Sequence, residues 1–396
     1  MLLGACGQGD PGSAPPLTQP SPGDTHSGEV APEREHESGH VDDHSADYAR
    51  PIESRPLRKE ERRLTLSMPE AYTPSAPTGV GADDYRCFLL DPGLKKDVFI
   101  TGNTVVPGNP KIVHHVILFH VPPDQIAAAK RADGAVDGPG WTCFGGTGTG
   151  ERAGLDDAPW LGAWAPGGAE SVMRRGYGVE LPKGSQIIMQ VHYSLLAGSV
   201  EDVSSTQLRL APKSADLTPV RTMLLPAPVE LPCRPGHRDG PLCDRDAALA
   251  DVKARFGQGP GSTADLLHLL CGDKPRTGKV QTCTRTIGEP TTILGVAGHM
   301  HLLGSAIKIE VNAGTEKERT VLDIDVWDFD NQAAEAVDPI RLEPFDTVTV
   351  TCRHSQRVRD LLPAFEQQRQ DRYVLWGDGT TDEMCLGILQ VVDAET

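Results

Sequence analysis

Gln186-Ile187-Ile188-Met189-Gln190-Val191-His192-Tyr193-Ser194-Leu195 is the stretch whose pattern decides the fold. Ile187, Met189, Val191, Tyr193 and Leu195 alternate with Ile188, Gln190, His192 and Ser194. A period of two is that of an extended strand whose successive side chains point to opposite faces. One face is apolar. His192 lies on the other and faces whatever lies across the sheet.

The same period recurs on both sides of this stretch. Val98-Phe99-Ile100 and Lys111-Ile112-Val113-His114-His115-Val116-Ile117-Leu118-Phe119 read as strands rich in β-branched and aromatic residues. Thr206-Gln207-Leu208-Arg209-Leu210 closes a first unit. Further on, Ile307, Ile309 and Val311 alternate with Lys308 and Glu310. Leu322, Ile324 and Val326 alternate with Asp323 and Asp325. Val348, Val350 and Cys352 alternate with threonines. Such strands are half buried, polar side out. The chain holds 42 glycines and 33 prolines, which suits many short strands and turns better than long helices. The expectation is an all-β protein of two antiparallel β-sandwiches in tandem.

Folded sequence is expected to begin near Tyr85. Residues 1–80 read as a start segment and a disordered tether, Pro-, Ser-, Gly- and Asp-rich with few large apolar residues. The tether carries His26, His36, His40 and His44, open to a solvated or a metal-gathering role. A first domain over 81–213 and a second over 214–396 follow, with a boundary at Pro212-Lys213-Ser214-Ala215-Asp216. The segment from Trp141 to Gly168 reads as long loops. Within the second domain, 233–283 is an insertion bounded by cysteines. There Leu249, Val252 and Phe256 have helical spacing, Ser262 is placed to cap a short helix, and His268 within that helix reads as structural.

A net charge of −17 leaves no basic stripe for nucleic acid. No run of about 18 apolar residues is present. Leu3-Gly4-Ala5-Cys6 is like a lipoprotein cleavage box with Cys6 as the lipidation site, although the charged and long apolar parts that precede such a box are absent. Setting Cys6 aside, eight cysteines remain, an even number as a disulfide framework requires; eight reduced thiols in a cytosolic protein is the other reading. An exported protein, periplasmic or at the cell envelope, is expected.

Gly298-His299-Met300-His301-Leu302-Leu303-Gly304 contains a His-x-His pair, whose two imidazoles project to one side of a strand. Met300 between them projects to the other side and reads as packing. Asp382-Glu383-Met384-Cys385 adds a thioether. His114-His115 and His192 form a second group of imidazoles. Adjacent residues on a regular strand point apart, so His114 and His115 share one metal only if the strand bulges there. His120 has the parity of His114 and competes with it. Imidazole with thioether suits copper, Cu(I) above all.

In this order, Val113-His114-His115, Gln190-Val191-His192-Tyr193, His299-Met300-His301 with Leu303-Gly304, Asp382-Glu383-Met384-Cys385 and the cysteines resemble the copper type II, ascorbate-dependent monooxygenases, the family of peptidylglycine α-hydroxylating monooxygenase and dopamine β-monooxygenase. With its lipoprotein-like start the chain looks like a bacterial member. The resemblance covers roughly residues 80 to 396. It implies two jelly-roll domains with two mononuclear copper sites facing each other across a solvent-filled cleft. His114, His115 and His192 would hold the electron-transfer copper. His299, His301 and Met384 would hold the copper that meets dioxygen, with ascorbate as reductant. Gln190 matches a position beside the first site. Cys87–Cys143 and Cys352–Cys385 match family disulfides, while Val121 stands where a further family cysteine would be. Cys233, Cys243, Cys271 and Cys283 allow three pairings, the local pairs Cys233–Cys243 and Cys271–Cys283 being the working choice.

The substrate positions depart from the peptide-amidating branch. Ala297 stands where it has arginine, and Leu386 and Ile388 where it has asparagine and tyrosine. The expected activity is therefore hydroxylation of a C–H bond of a small, more apolar organic molecule with dioxygen. The chain would be a monomer whose one membrane contact is a lipid at Cys6. A periplasmic copper-binding lipoprotein without catalysis is the alternative.

Overall fold

A computed structural model of the chain describes residues 54–76, 82–150, 154–165, 168–272, 274–366 and 369–394. Cys6, His26, His36, His40 and His44 lie outside them. The described residues belong to one compact unit.

Eight strands of five or more residues frame the first sandwich: β1 Arg62–Ser67, β2 Asp83–Leu90, β3 Val98–Val106, β4 Val113–Val121, β5 Trp160–Trp164, β6 Tyr177–Leu181, β7 Gln186–Ser194 and β8 Ser205–Pro212. They pair as β1-β8-β3-β6 and β2-β7-β4-β5. The alternation of apolar residues causes the packing. Ile100, Leu208 and Leu210 from one sheet meet Val116, Leu118, Met189, Val191 and Tyr193 from the other in a shared core. Each such side chain, fully buried, contributes about 1.5–3 kcal/mol.

Eight more make the second: β9 Arg221–Pro226, β10 Val280–Thr286, β11 Thr291–His299, β12 Gly304–Val311, β13 Arg319–Ile324, β14 Glu335–Leu342, β15 Thr347–His354 and β16 Leu386–Asp393. They pair as β9-β16-β11-β14 and β10-β15-β12-β13. Add eight to each strand number of the first sandwich and the second is obtained. This interleaved order is the jelly roll. Met300, fully buried, lies in the second core, as its parity requires.

Four expectations change. The fold starts before residue 80, because β1 pairs along its length with β8. With Arg62 and Arg63 leading it and only Leu64 and Leu66 apolar, β1 is a half-exposed edge strand and looks like tether. Trp160–Trp164 is a strand, not loop, pairing with β4. The first sandwich runs past residue 213, since Thr218–Pro219 pairs in parallel with Tyr177–Gly178. Inside the insertion the helices are Arg245–Phe256 and Thr263–Leu270, but the Ser262 hydroxyl donates to Gln258 O and does not cap.

Four disulfides form: Cys87–Cys143, Cys233–Cys243, Cys271–Cys283 and Cys352–Cys385. They fit an exported protein in an oxidising environment. Among the described residues no helix is long and apolar enough to cross a membrane.

Candidate metal centre

His115 on β4 sits opposite His192 on β7, and the register slips between Val113 and His115. This slip is the bulge that adjacent histidines need to turn to one side. His114 Nδ1 lies 3.3 Å from His115 Nδ1, and His192 Nδ1 lies 3.2 Å from it. The three ligand atoms all fall within 4.8 Å of one another.

The protons can be assigned. His192 Nε2 is 2.9 Å from Asp83 Oδ1. An ionised carboxylate only accepts, so Nε2 donates and Nδ1 keeps its lone pair. His115 Nδ1 has at most one proton for two neighbouring ring nitrogens. A shared ion resolves this, since two nitrogens about 2.0 Å from one metal at a tetrahedral angle stand about 3.3 Å apart. Burial holds His114 and His115 well below the usual imidazole range, with His192 adding to the effect, so both rings are neutral as metal ligands must be.

The second group lies at the end of β11. His299 Nδ1 is 2.6 Å from Gln332 Oε1, and the Gln332 amide donates to Phe329 O at 2.8 Å. Gln332 therefore presents its oxygen, His299 donates through Nδ1, and His299 Nε2 keeps a lone pair. Burial pushes the His299 ring down to about 4. His301 is fully buried, and neither ring nitrogen completes a hydrogen bond. An unmet buried polar atom costs about 1–3 kcal/mol, which a ligand would relieve.

Met384 comes from the loop that precedes β16, whose first residue, Leu386, pairs with His299. Glu383 beside it is fully buried and accepts from the backbone N–H groups of His301 and Leu303. Buried His354 approaches Met384 O at 3.2 Å and Glu383 Oε2 at 3.4 Å. The loop is thereby pinned to the His-x-His segment from behind.

The two groups meet directly. The His115 and His299 rings are in edge contact with centroids 5.6 Å apart, and Phe329 of the second sandwich stacks on His114 at 4.1 Å. The rings thus touch where the resemblance implies a solvent-filled cleft, and His115 and His299 are each half-buried. Gln190 spends its amide on the carbonyls of Cys143 and Gly146, bracing that loop. His120 bonds Ser185 and stands outside the triad. His268 bonds buried Glu230, a structural role. Asp83, Phe329, Gln332, His354, Thr380 and Glu383 were not singled out from sequence; no period or spacing marks them, because their roles come from distant partners.

Three carboxylates crowd the same region. Burial would raise Asp382, but Arg255 and Arg372 outweigh it and hold it low. Burial, then Asp382 and Asp83, push Asp378 up to about 7. A carboxyl raised in the folded state contributes stability that is full below its unfolded value near 4 and is lost as pH rises through 7. Asp378→Asn is therefore expected to gain about 2–4 kcal/mol over wild type between pH 4 and pH 8. Urea unfolding of the metal-free protein at the two pH values measures it, and an equal difference at both would refute the assignment.

No family model and no curated protein matches the chain. Among solved structures, a structure of allantoicase aligns over 79% of this chain and 78% of that one, at 11% identity and a TM-score of 0.18. The VP2 subviral particle of infectious bursal disease virus aligns over 87% of this chain and 74% of that one, at 8% identity and a TM-score of 0.20. Likeness at this level identifies neither a family nor a chemistry.

Proposed function

We propose that the chain is a copper-dependent monooxygenase, hydroxylating a C–H bond of a small organic substrate with dioxygen and an ascorbate-type reductant. The observation that carries this is a three-imidazole centre in ring contact with a second histidine pair, half-buried His299 and buried His301, on the other sandwich. Copper, when bound, would supply one-electron storage at His114, His115 and His192 and dioxygen activation at His299, His301 and Met384, the thioether favouring Cu(I).

The chain's own groups prepare both positions. Asp83 fixes the tautomer of His192, and Gln332 that of His299. Glu383 holds the His301 backbone while its neighbour Met384 follows on the same loop. Leu386 pairs with His299 and Ile388 with Ala297, so these side chains share one face of the sheet. That face is apolar beside the histidine. It offers no cation to a peptide carboxylate, which supports a more apolar substrate than a glycine-extended peptide.

The test is copper stoichiometry joined to oxygen uptake. Purified protein should bind two coppers per chain and consume oxygen with ascorbate and an apolar substrate. It should form no hydroxyglycine from a glycine-extended peptide. Met384→Ala should retain one copper and lose ascorbate-dependent hydroxylation; loss of both coppers would contradict the two-site division. Two coppers bound without oxygen uptake across the screen would leave the non-catalytic copper-binding protein in its place. A lipid anchor at Cys6 belongs to the same proposal, and mass spectrometry of the mature N-terminus decides it.

A further inference from the structure

The Asp83 carboxylate is shared between the two sandwiches. Its Oδ1 accepts from His192 Nε2 at 2.9 Å, from the Thr380 backbone N–H at 3.1 Å, and from the Thr380 hydroxyl. Thr380 Oγ1 also lies 3.4 Å from His192 Nε2. His192 and Thr380 are fully buried and Asp83 nearly so. Asp83 opens β2 in the first sandwich. Thr380 belongs to the second and is 297 residues away in sequence.

Thr380 sits on a stiff loop. The Gly377 N–H bonds Glu383 O, and the Asp382 N–H bonds Gly379 O. Asp382 is clamped by Arg255 and Arg372. A Cβ on Gly379 would fall 2.7 Å from Asp382 Oδ2 and 2.9 Å from Phe256 Cζ, so a side chain there would displace Asp382 or Phe256. The same loop ends in Glu383 and Met384, which serve the second histidine group.

We propose that Thr380 is a positioning residue for the first centre, acting through Asp83 on His192, so that the second sandwich completes a site whose ligands all come from the first. This rests on the reading of His114, His115 and His192 as a metal centre. With two donors from Thr380 already on Oδ1, the carboxylate cannot swing away from His192 Nε2. The His192 ring is thereby held with Nδ1 towards His115. Without the hydroxyl, Asp83 keeps one donor fewer and the ring gains freedom about its Cβ–Cγ bond.

The experiment uses the full chain carrying His299→Ala and His301→Ala, which leaves the first centre alone, and Cu(II) as the probe. Thr380→Val in that background should weaken Cu(II) binding by about tenfold, at the lower end for loss of a partner behind a ligand. It should also change the Cu(II) hyperfine splitting in the electron paramagnetic resonance spectrum. Thr380→Ser, which keeps the hydroxyl, should restore both. Cu(II) binding by the valine variant as tight as the background overturns the proposal, and so does a serine variant as weak as valine. A background that binds no Cu(II) overturns the metal reading itself, an outcome distinct from the other two.

Discussion

His115→Ala is expected to remove one of two bound coppers and to lower ascorbate-dependent oxygen uptake by more than about 100-fold, the upper end for loss of a supporting partner and so a floor for loss of a ligand. His115 Nδ1 is the atom that stands near both other ring nitrogens, at 3.3 and 3.2 Å. Without it, His114 and His192 remain as a pair with no ring between them. The variant also loses its contact with His299, so the second group should keep its copper but lose its neighbour. His120→Ala is the matched control on the same strand. Its ring bonds Ser185, and both coppers should stay. Equal copper content in wild type and His115→Ala would remove the triad as a metal centre.

Cys352→Ala with Cys385→Ala is expected to cost about 3–4 kcal/mol of stability, the value for a loop of this length in the chain-entropy account. The bond closes 33 residues. It joins β15 in one sheet to the residue before β16 in the other, across the core of the second sandwich. Both sulfurs are fully buried. Met384 is its immediate neighbour, so the variant should lose stability and second-site copper together. Removing Cys233–Cys243, which closes only 10 residues in the insertion, should cost about 2.5–3 kcal/mol and spare the copper. Denaturant titration with metal analysis of both variants separates the cases. Copper retained in the Cys352/Cys385 variant would free Met384 from the role given to it.

Much of the architecture was legible because alternation is a direct record of a two-sided sheet. Val191 and Tyr193 had to face a core, and His192 had to leave it. Of the disulfides, Cys233–Cys243 and Cys271–Cys283 join cysteines close in sequence, which meet cheaply, whereas Cys87–Cys143 and Cys352–Cys385 were expected only from the resemblance to family disulfides. β1 was not legible, since an edge strand buries little and Arg62-Arg63-Leu64-Thr65-Leu66 differs hardly at all from a charged tether. The conflict at His114-His115 was legible as a need, but its solution lies in a slipped register against β7 that no single strand encodes. The groups behind the ligands were hidden altogether. Asp83 and Thr380 are ordinary polar residues in a polar stretch and a glycine-rich turn. Their pairing exists only once two sandwiches are side by side.

The repeated strand order has a consequence for symmetry. The histidine triad stands on the sheet β2-β7-β4-β5, whereas His299 stands on β9-β16-β11-β14, the counterpart of β1-β8-β3-β6. At the histidine groups the two like-built halves therefore meet through unlike faces, a heterologous contact. A two-fold axis would have brought equivalent sheets together and made two equivalent centres. Here no rotation exchanges the halves and their sites at once. The donor sets differ because they grew on different surfaces of the same plan: three imidazoles around a bulge on one, and a strand end with a neighbouring loop on the other.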